Sequence, residues 1–387
     1  MLPETRLLRL GRAGQDRRVA ATFTPGLNLA RLYYREVVRP LLDSECPGLA
    51  HSAALIGWGS EVLGFDSPRS TDHNWGPRLQ IFLADDEANQ AGLVSDMLAA
   101  RLPAEFRGYP TAFPAADTAP AQSAHWVTVA GLRSWLTGTL GFDPAADINL
   151  LDWLAAPTQV LAEVTGGAVF HDGLTPGTSS SRPGLSGGAL TAARAALAWY
   201  PHDIWLYVMA SQWQRIAEEE AFPGRCAEAG DELGSALITA RLARDLIRLV
   251  LLMQRRYPPY SKWLGSAFAR TVAATELAPL LAAAMTAATW PERENNLAAA
   301  YEAAARLHNA LAVTPPLDPA VRPNYYDRPY RVIEAERFAR ALREQISDEH
   351  VRALPLIGAV DQFIDNTNAI GNGAVSRSAV AAALPES

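Results

Sequence analysis

The sequence predicts an α+β fold: a mixed sheet with flanking helices in the N-terminal half, followed by a mostly α-helical C-terminal half. Three observations carry this. Short apolar or alternating runs bounded by Gly, Pro and Asp, the pattern of strands, all precede residue 175. Long periods of 3.6 residues fill residues 189–312. Between the two, residues 175–188 read "TPGTSSSRPGLSGG", the composition of a linker. A chain of 387 residues exceeds one average core. The expected units are therefore residues 1–180 (α/β) and residues 181–387 (mostly helical).

Residues 27–42 read as an amphipathic helix, with Leu29, Leu32, Tyr33, Val37 and Leu41 at helical spacing between Pro25-Gly26 and Pro47-Gly48. "SAALIGWGS" is a short apolar strand entering a Gly-rich turn. "RLQIFLADD" alternates between Pro77 and two aspartates, a strand. "NQAGLVSDMLAARLP" is a helix stopped by Pro103, and "HWVTVAGL" is a further strand. The Pro- and Ala-rich residues 106–123 between them form a loop. "DWLAAPTQVLAEVTGGAVFHD" starts helical and ends in a Gly turn with a strand-like "GGAVF".

Five helical stretches follow: "GALTAARAALAWY", "DIWLYVMASQWQRIAEEEAF", "DELGSALITARLARDLIRLVLLMQRR", "SAFARTVAATELAPLLAAAMTAA" and "RENNLAAAYEAAARLHNAL". Trp205, Met209 and Trp213 share one helical face and read as core rather than as a cofactor box. Asp231-Glu232 opens a helix as cap and dipole partner. Glu218-Glu219-Glu220 reads as a solvated run.

Composition excludes several classes. Hydrophobic residues at 49% and charged residues at 19% suit a folded chain. A formal net charge of −7 argues against binding to DNA, which needs clustered positive charge. Cys46 and Cys226 have no partner spacing for a disulfide framework or a zinc ribbon. The N-terminal residues lack the apolar core of a secretory signal, and "LARDLIRLVLLMQRR" is interrupted by Asp245 and Arg248. A cytoplasmic protein without membrane contacts is expected, and a homo-oligomer is compatible with the sequence. Lys262 is the one lysine among 34 basic residues.

The chemistry concentrates in "GWGSEVLGFDSPRSTDHNWGPR", residues 57–78. A tight Gly turn lets backbone N–H groups approach a triphosphate, and a hydroxyl beside it can donate to a phosphate oxygen. Ligands one residue apart, entering a strand, can share a Mg²⁺. Gly59, Ser60, Asp72 and Asn74 stand in that order, and Arg78 precedes the next strand, where a guanidinium can meet a phosphate. Gly-Ser turns also occur without ligands, and Asp72 and Asn74 also suit a plain turn before Trp75-Gly76-Pro77.

The layout of strand, Gly-Ser, helix of about ten residues and Asp-x-Asp entering a strand resembles the polymerase-β-type nucleotidyltransferases. More closely, the chain is similar to a bacterial domain-of-unknown-function family (DUF4037) in that superfamily. The residues that carry this are "GWGSEVLGFDSPRSTDHNWGPR", "VTGGAVFHD", "YPHDIWLYVMASQWQRI", "GDELGSALITARLARDLIRL", "RRYPPYSKWLGSAFAR", "RPYRVI" and "LPLIGAVDQFIDNT". The resemblance implies a nucleotidyltransferase-like core with a helical C-terminal domain. It further implies Mg²⁺ and a nucleoside triphosphate, ATP first, as cofactors, with Asp72 and Asn74 at the metal.

Asn74 stands where such transferases place a second carboxylate, and "HWVTVAGL" offers no third. Glu163 and Asp172 flank "VTGGAVFHD" and are the candidate catalytic replacements beside Asp72 and Asn74. Asp66 and Asp85 are alternatives of equal charge. His171 suits a general base if it lies near Asp72.

Arg241, Arg244 and Arg248 form a basic stripe opposite Leu242, Leu246 and Leu249. It is either a solvated face or, at Arg244 above all, an anion contact facing the cleft. Lys262 in "PPYSKWLG" is either a phosphate contact or a surface lysine pinned by Trp263. No G-x-S-x-G elbow, P-loop or G-x-G-x-x-G is present. Two functions follow as expectations. One is Mg²⁺-dependent transfer of a nucleoside monophosphate, AMP first, to a hydroxyl of a small-molecule or macromolecular acceptor. The other is a re-used fold that serves as a binding module or runs different chemistry in the same cleft.

Overall fold

The computed structural model describes residues 23–72, 74–112, 125–176 and 187–384, without the side chain of Asp72. The expected boundary at residues 180/181, most of the linker 175–188 and most of the loop 106–123 lie outside the described residues. Helix α1 (Gly26–Tyr33) runs through one π turn (Tyr34–Val38) into α2 (Arg39–Glu45). Strands β1 (Ser52–Leu55) and β2 (Leu79–Leu83) are followed by α3 (Ala91–Arg101). A small ribbon, β3 (Glu105–Phe106) with β4 (Tyr109–Pro110), precedes β5 (Val127–Gly131). Then come α4 (Leu132–Leu140), α5 (Leu150–Ala155), α6 (Thr158–Thr165) and β6 (Ala168–Asp172).

The main sheet is mixed, in the order β5-β2-β1-β6, with β2 and β5 parallel and both neighbours of β1 antiparallel to it. Alternation explains its two buried faces. Ala53, Leu79, Ile81 and Leu83 pack on Leu29, Tyr33 and Leu42 of α1–α2 and on Val94 and Leu98 of α3. Ala54, Ile56 and Phe82 turn the other way, onto Leu132, Leu136, Leu161 and Val164. With helices on both sides, β2 is apolar along its whole length apart from Gln80.

The remainder is helical: α7 (Ala189–Ala196), α8 (His202–Glu219), α9 (Phe222–Glu228), α10 (Glu232–Met253), α11 (Leu264–Ala269), α12 (Ala274–Thr286) and α13 (Trp290–Ala310). It closes with α14 (Glu336–Glu344), α15 (Glu349–Ala353), α16 (Val360–Phe363), α17 (Thr367–Ile370) and α18 (Gly373–Ala383). Helix α8 is its axis, buried on every side from Ile204 to Trp213. The expected Trp205–Met209–Trp213 face is core. Trp213 stacks on Phe338 of α14 with centroids 4.5 Å apart, and its indole N–H donates to His308 Nδ1 at 3.2 Å. As expected, Asp231 caps α10, accepting from Gly234 N at 2.7 Å.

One apolar cluster runs from Ala54, Ile56 and Phe82 of the sheet to Trp213 and Phe338. The C-terminal helix returns to the sheet-bearing part, where Arg377 on α18 pairs with Asp152 on α5. Among the described residues no helix is long and apolar enough to cross a membrane.

Two local expectations need correction. The helix of about ten residues between Ser60 and Asp72 is instead a series of turns ending in a 3₁₀ turn, Pro68–Asp72. Gly64, at φ +68°, and Pro68 break the period. The run Glu218-Glu219-Glu220 is not a solvated run throughout. Only Glu218 is exposed, while Glu219 pairs with Arg241 at 2.9 Å. Glu220 is buried and accepts from Ile333 N at 2.7 Å and Ala335 N at 3.0 Å.

Candidate functional site

The corner after β1 is built by its neighbours. Beyond Leu55, the Gln80 side chain takes over the pairing of β2: Ile56 N donates to Gln80 Oε1 at 3.1 Å, and Gln80 Nε2 donates to Ile56 O at 2.9 Å. Gly57 N then donates to the Glu163 carbonyl at 2.9 Å, which ties the turn to α6. Gly59 has φ +136°, and a Cβ there would lie 2.1 Å from Arg78 Nη2, so glycine is required twice over. Under the turn, Gly167 N donates to Val62 O at 2.8 Å, and a Cβ at Gly167 would lie 1.9 Å from Leu55 O.

Arg78 is the strut of this corner. Its Nε donates to Glu61 Oε1 at 2.6 Å, and its Nη2 donates to the Trp58 carbonyl. Both members of the pair are buried. The guanidinium also lies 4.0 Å from the centroid of the Trp58 ring. The side chain is thus turned inward beneath the turn rather than outward from the strand end. Removing one member of such a pair is costly, because it strands a buried charge.

The corner presents donors. Among the described residues, the backbone N–H groups of Gly59, Ser60 and Glu61 donate to no protein acceptor. Consecutive N–H groups on a glycine turn form an anion-binding concavity. Ser60 Oγ lies 3.5 Å from Glu61 Oε2, a weak contact that leaves the hydroxyl available.

Glu163 faces the same corner from α6. Burial pushes its carboxyl up to about 7, and the Arg78 charge only partly opposes this. Among the described residues no donor bonds to that carboxylate. Asn74 has φ +49°, a left-handed conformation that asparagine tolerates, and so it is a turn residue ahead of β2.

The helical half reaches the corner as well. Phe65 lies between Trp263, stacked at 5.2 Å, and the Arg270 guanidinium, 4.0 Å from its ring. Arg270 Nη1 donates to Leu63 O at 3.2 Å and Nη2 to Gly64 O. Lys262 is exposed, with its Nζ 4.8 Å from the Trp263 ring. The fold therefore gathers Gly59, Ser60, Arg78 and Glu163, with Lys262 carried to the edge through the Trp263–Phe65 stack.

Other candidates go elsewhere. Asp172 pairs in register with Ser52, the first residue of β1, whereas the turn follows the last. It accepts from Ser52 Oγ at 2.6 Å, Thr191 N at 2.8 Å and Thr191 Oγ1 at 2.6 Å, joining β6 to α7. His171 packs beside it on His51, with ring centroids 4.8 Å apart, again at the far end of the sheet. Asp66 accepts from Gly26 N at 2.6 Å and Trp75 Nε1 at 3.2 Å. Asp85 caps α4 through Arg133 N and Ser134 N, both at 3.1 Å.

The basic stripe of α10 meets acids rather than an open cleft. Arg244 lies 3.8 Å from Asp365, and Arg248 Nη2 lies 3.4 Å from Asp361 Oδ2 while its Nη1 donates to the Asp361 carbonyl. Asp361 also accepts from Thr158 Oγ1 at 2.6 Å, at the start of α6. Beside it, Asp245 accepts from Gln212 Nε2 at 3.1 Å and pairs with Arg215 at 3.3 Å. This seam locks α6, α8, α10 and the C-terminal segment together.

Sequence reasoning missed Trp58, Glu61, Gln80 and Arg270. Trp58 had a signal, a large aromatic between two turn glycines. The other three had none, because their partners are distant in sequence. Among the described residues no group of three or more His, Cys, Asp or Glu is placed to hold a metal ion.

A family model described as "Domain of unknown function (DUF4037)" matches residues 153–264, which is 112 of 387 residues. The matched stretch holds Glu163, Asp172, Arg244 and Lys262 and begins after the Gly59–Arg78 corner. No curated protein and no solved structure matches the chain.

Proposed function

We propose that the chain is a cytoplasmic member of the polymerase-β-type nucleotidyltransferase-like superfamily. In this reading it binds a nucleoside triphosphate, ATP first, at the Gly57–Ser60 corner and transfers AMP to a hydroxyl of a small-molecule or macromolecular acceptor. The observation that carries this is the corner itself. A glycine turn at the end of a central strand presents unused N–H donors beside one carboxyl near neutral pKa.

The chemistry follows from those groups. The N–H groups and Ser60 Oγ hold phosphate oxygens, and Arg78 keeps the turn rigid from below. Glu163, near 7, accepts the proton of the acceptor hydroxyl as the acceptor oxygen bonds to the α-phosphorus. The bond from the α-phosphorus to the bridging oxygen breaks, and pyrophosphate leaves. The donor set suits a hard cation: Asp72 and Asn74 offer a carboxylate and a carbonyl oxygen, few enough for an ion that arrives with triphosphate oxygens. Mg²⁺, when bound, would be held by Asp72 and Asn74 and would supply neutralisation of the charge that develops on the phosphates. Lys262, exposed near the corner, adds a point charge for the polyphosphate.

A second reading, a re-used corner that binds without transfer, is favoured by Asn74. Its left-handed turn and neutral amide leave Asp72 as the one carboxylate of the Asp-x-Asn pair. Calorimetry with ATP, with and without Mg²⁺, tests binding; mass spectrometry for acceptors gaining AMP tests transfer. Absence of nucleotide binding in both conditions overturns the proposal. Binding without transfer, with Asn74→Asp raising neither Mg²⁺ affinity nor activity, selects the second reading.

A further inference from the structure

We infer that Trp58 is the stacking platform for the nucleobase of the bound nucleotide, an inference that rests on the nucleotide-binding reading of the same corner. Trp58 is 58% exposed, yet Arg78 holds both its carbonyl and its ring. Glycines with φ +83° and +136° flank it, and Arg78 binds it twice, through its carbonyl and from beneath its ring. Arg78 is itself buried and locked to Glu61 at 2.6 Å. A fixed cation therefore lies against the indole, while the residue as a whole stays 58% exposed.

An indole held this way offers a planar π surface whose orientation is set before any ligand arrives. Stacking on such a surface suits every base, because every base has a π face. The immediate neighbours select the class of ligand. Gly59, Ser60 and Glu61 present open N–H groups next to the ring, so the ligand that satisfies both has an aromatic plane joined to an anion. A nucleoside polyphosphate has that combination, and a purine offers the larger stacking area. An apolar protein side chain would cover the ring and leave the donors unmet.

The test compares ATP with inorganic tripolyphosphate, which has the anion without the base, by calorimetry on the full chain. The wild type is expected to bind ATP about tenfold more tightly than tripolyphosphate. Trp58→Ala should remove that difference by weakening ATP alone, and Trp58→Phe should retain most of it. Equal wild-type affinities for the two ligands overturn the inference without any variant, as does a Trp58→Ala protein that weakens both ligands equally. In those two cases phosphate binding survives and the nucleotide-site reading stands. A wild type that binds neither ligand overturns both.

Discussion

The corner after β1 and the seam between α8, α10 and the C-terminal segment are both rich in charge, yet they treat it differently. In the seam, Asp361 and Asp245 are surrounded by donors from Thr158, Arg248, Gln212 and Arg215. In the corner the Arg78–Glu61 pair is closed. Among the described residues, Glu163 is desolvated with no donor on its carboxylate, the N–H groups of the turn meet no acceptor, and Trp58 is exposed. Groups that satisfy one another hold a fold together. The open groups at the exposed turn are what the proposed binding role draws on. The α10 arginines of the seam, which the sequence leaves as either a solvated face or an anion contact, are engaged by acids of the chain itself.

The largest effect should come from breaking the seam. Asp361→Ala leaves the largely buried Arg248 without its carboxylate and frees the N-terminus of α6, so unfolding stability should fall by about 3 kcal/mol. Denaturant titration measures this, and ATP affinity of the folded variant should stay within error of the wild type. A loss below about 1 kcal/mol would mean that the seam behaves like a surface pair.

Next comes Gly59→Ala, which sets a Cβ 2.1 Å from Arg78 Nη2 and should lower stability by about 1–3 kcal/mol. Gly48→Ala is the control. It has φ +84° with nothing within 4 Å, so only the backbone cost of about 1 kcal/mol applies. Tripolyphosphate binding should suffer in the first variant and not in the second.

A smaller effect separates Glu163 from the satisfied acids. A carboxyl whose folded pKa lies above its unfolded value holds its proton more tightly when folded. Its contribution is therefore full below the unfolded value, 4.5, and is lost as pH rises through about 7. Glu163→Gln should match the wild type in melting temperature at pH 4 and exceed it at pH 8 by about 2 °C or more. A difference that does not change with pH would show Glu163 to be solvated.

The smallest effect is expected at Lys262. It is exposed, so Lys262→Ala should change stability by less than about 0.5 kcal/mol. ATP affinity should fall about threefold at low salt, with the deficit fading at high salt. A deficit that persists at high salt would place the ammonium inside the site rather than at its edge.

Much of this fold was legible in advance, and the reasons are local. Alternation marked β2, the strand after residue 125 announced β5, and the Trp205–Met209–Trp213 face turned out to be core. The stretch from Ser60 to Asp72 departs from the helix that the resemblance implies, because Gly64 and Pro68 break the period. Asp172 followed the right strand but stands at its far end, a matter of register that no local pattern encodes. Glu220 looked like part of an exposed acidic run because neighbouring charges resemble one another, whereas its partners lie in residues 333 and 335.

By itself the sequence determined the four strands of the main sheet, most helices of residues 189–312 and the glycine turn, because periodicity and backbone sterics act between near neighbours. Which charges close on one another and which stay open was decided only by the tertiary structure. Glu61 meets Arg78 across 17 residues, Arg248 meets Asp361 across 113, and Ser52 meets Asp172 across 120. Burial and pairing at those separations depend on how the sheet and helices pack, and packing is what turned one arginine into a strut and left one tryptophan facing the solvent.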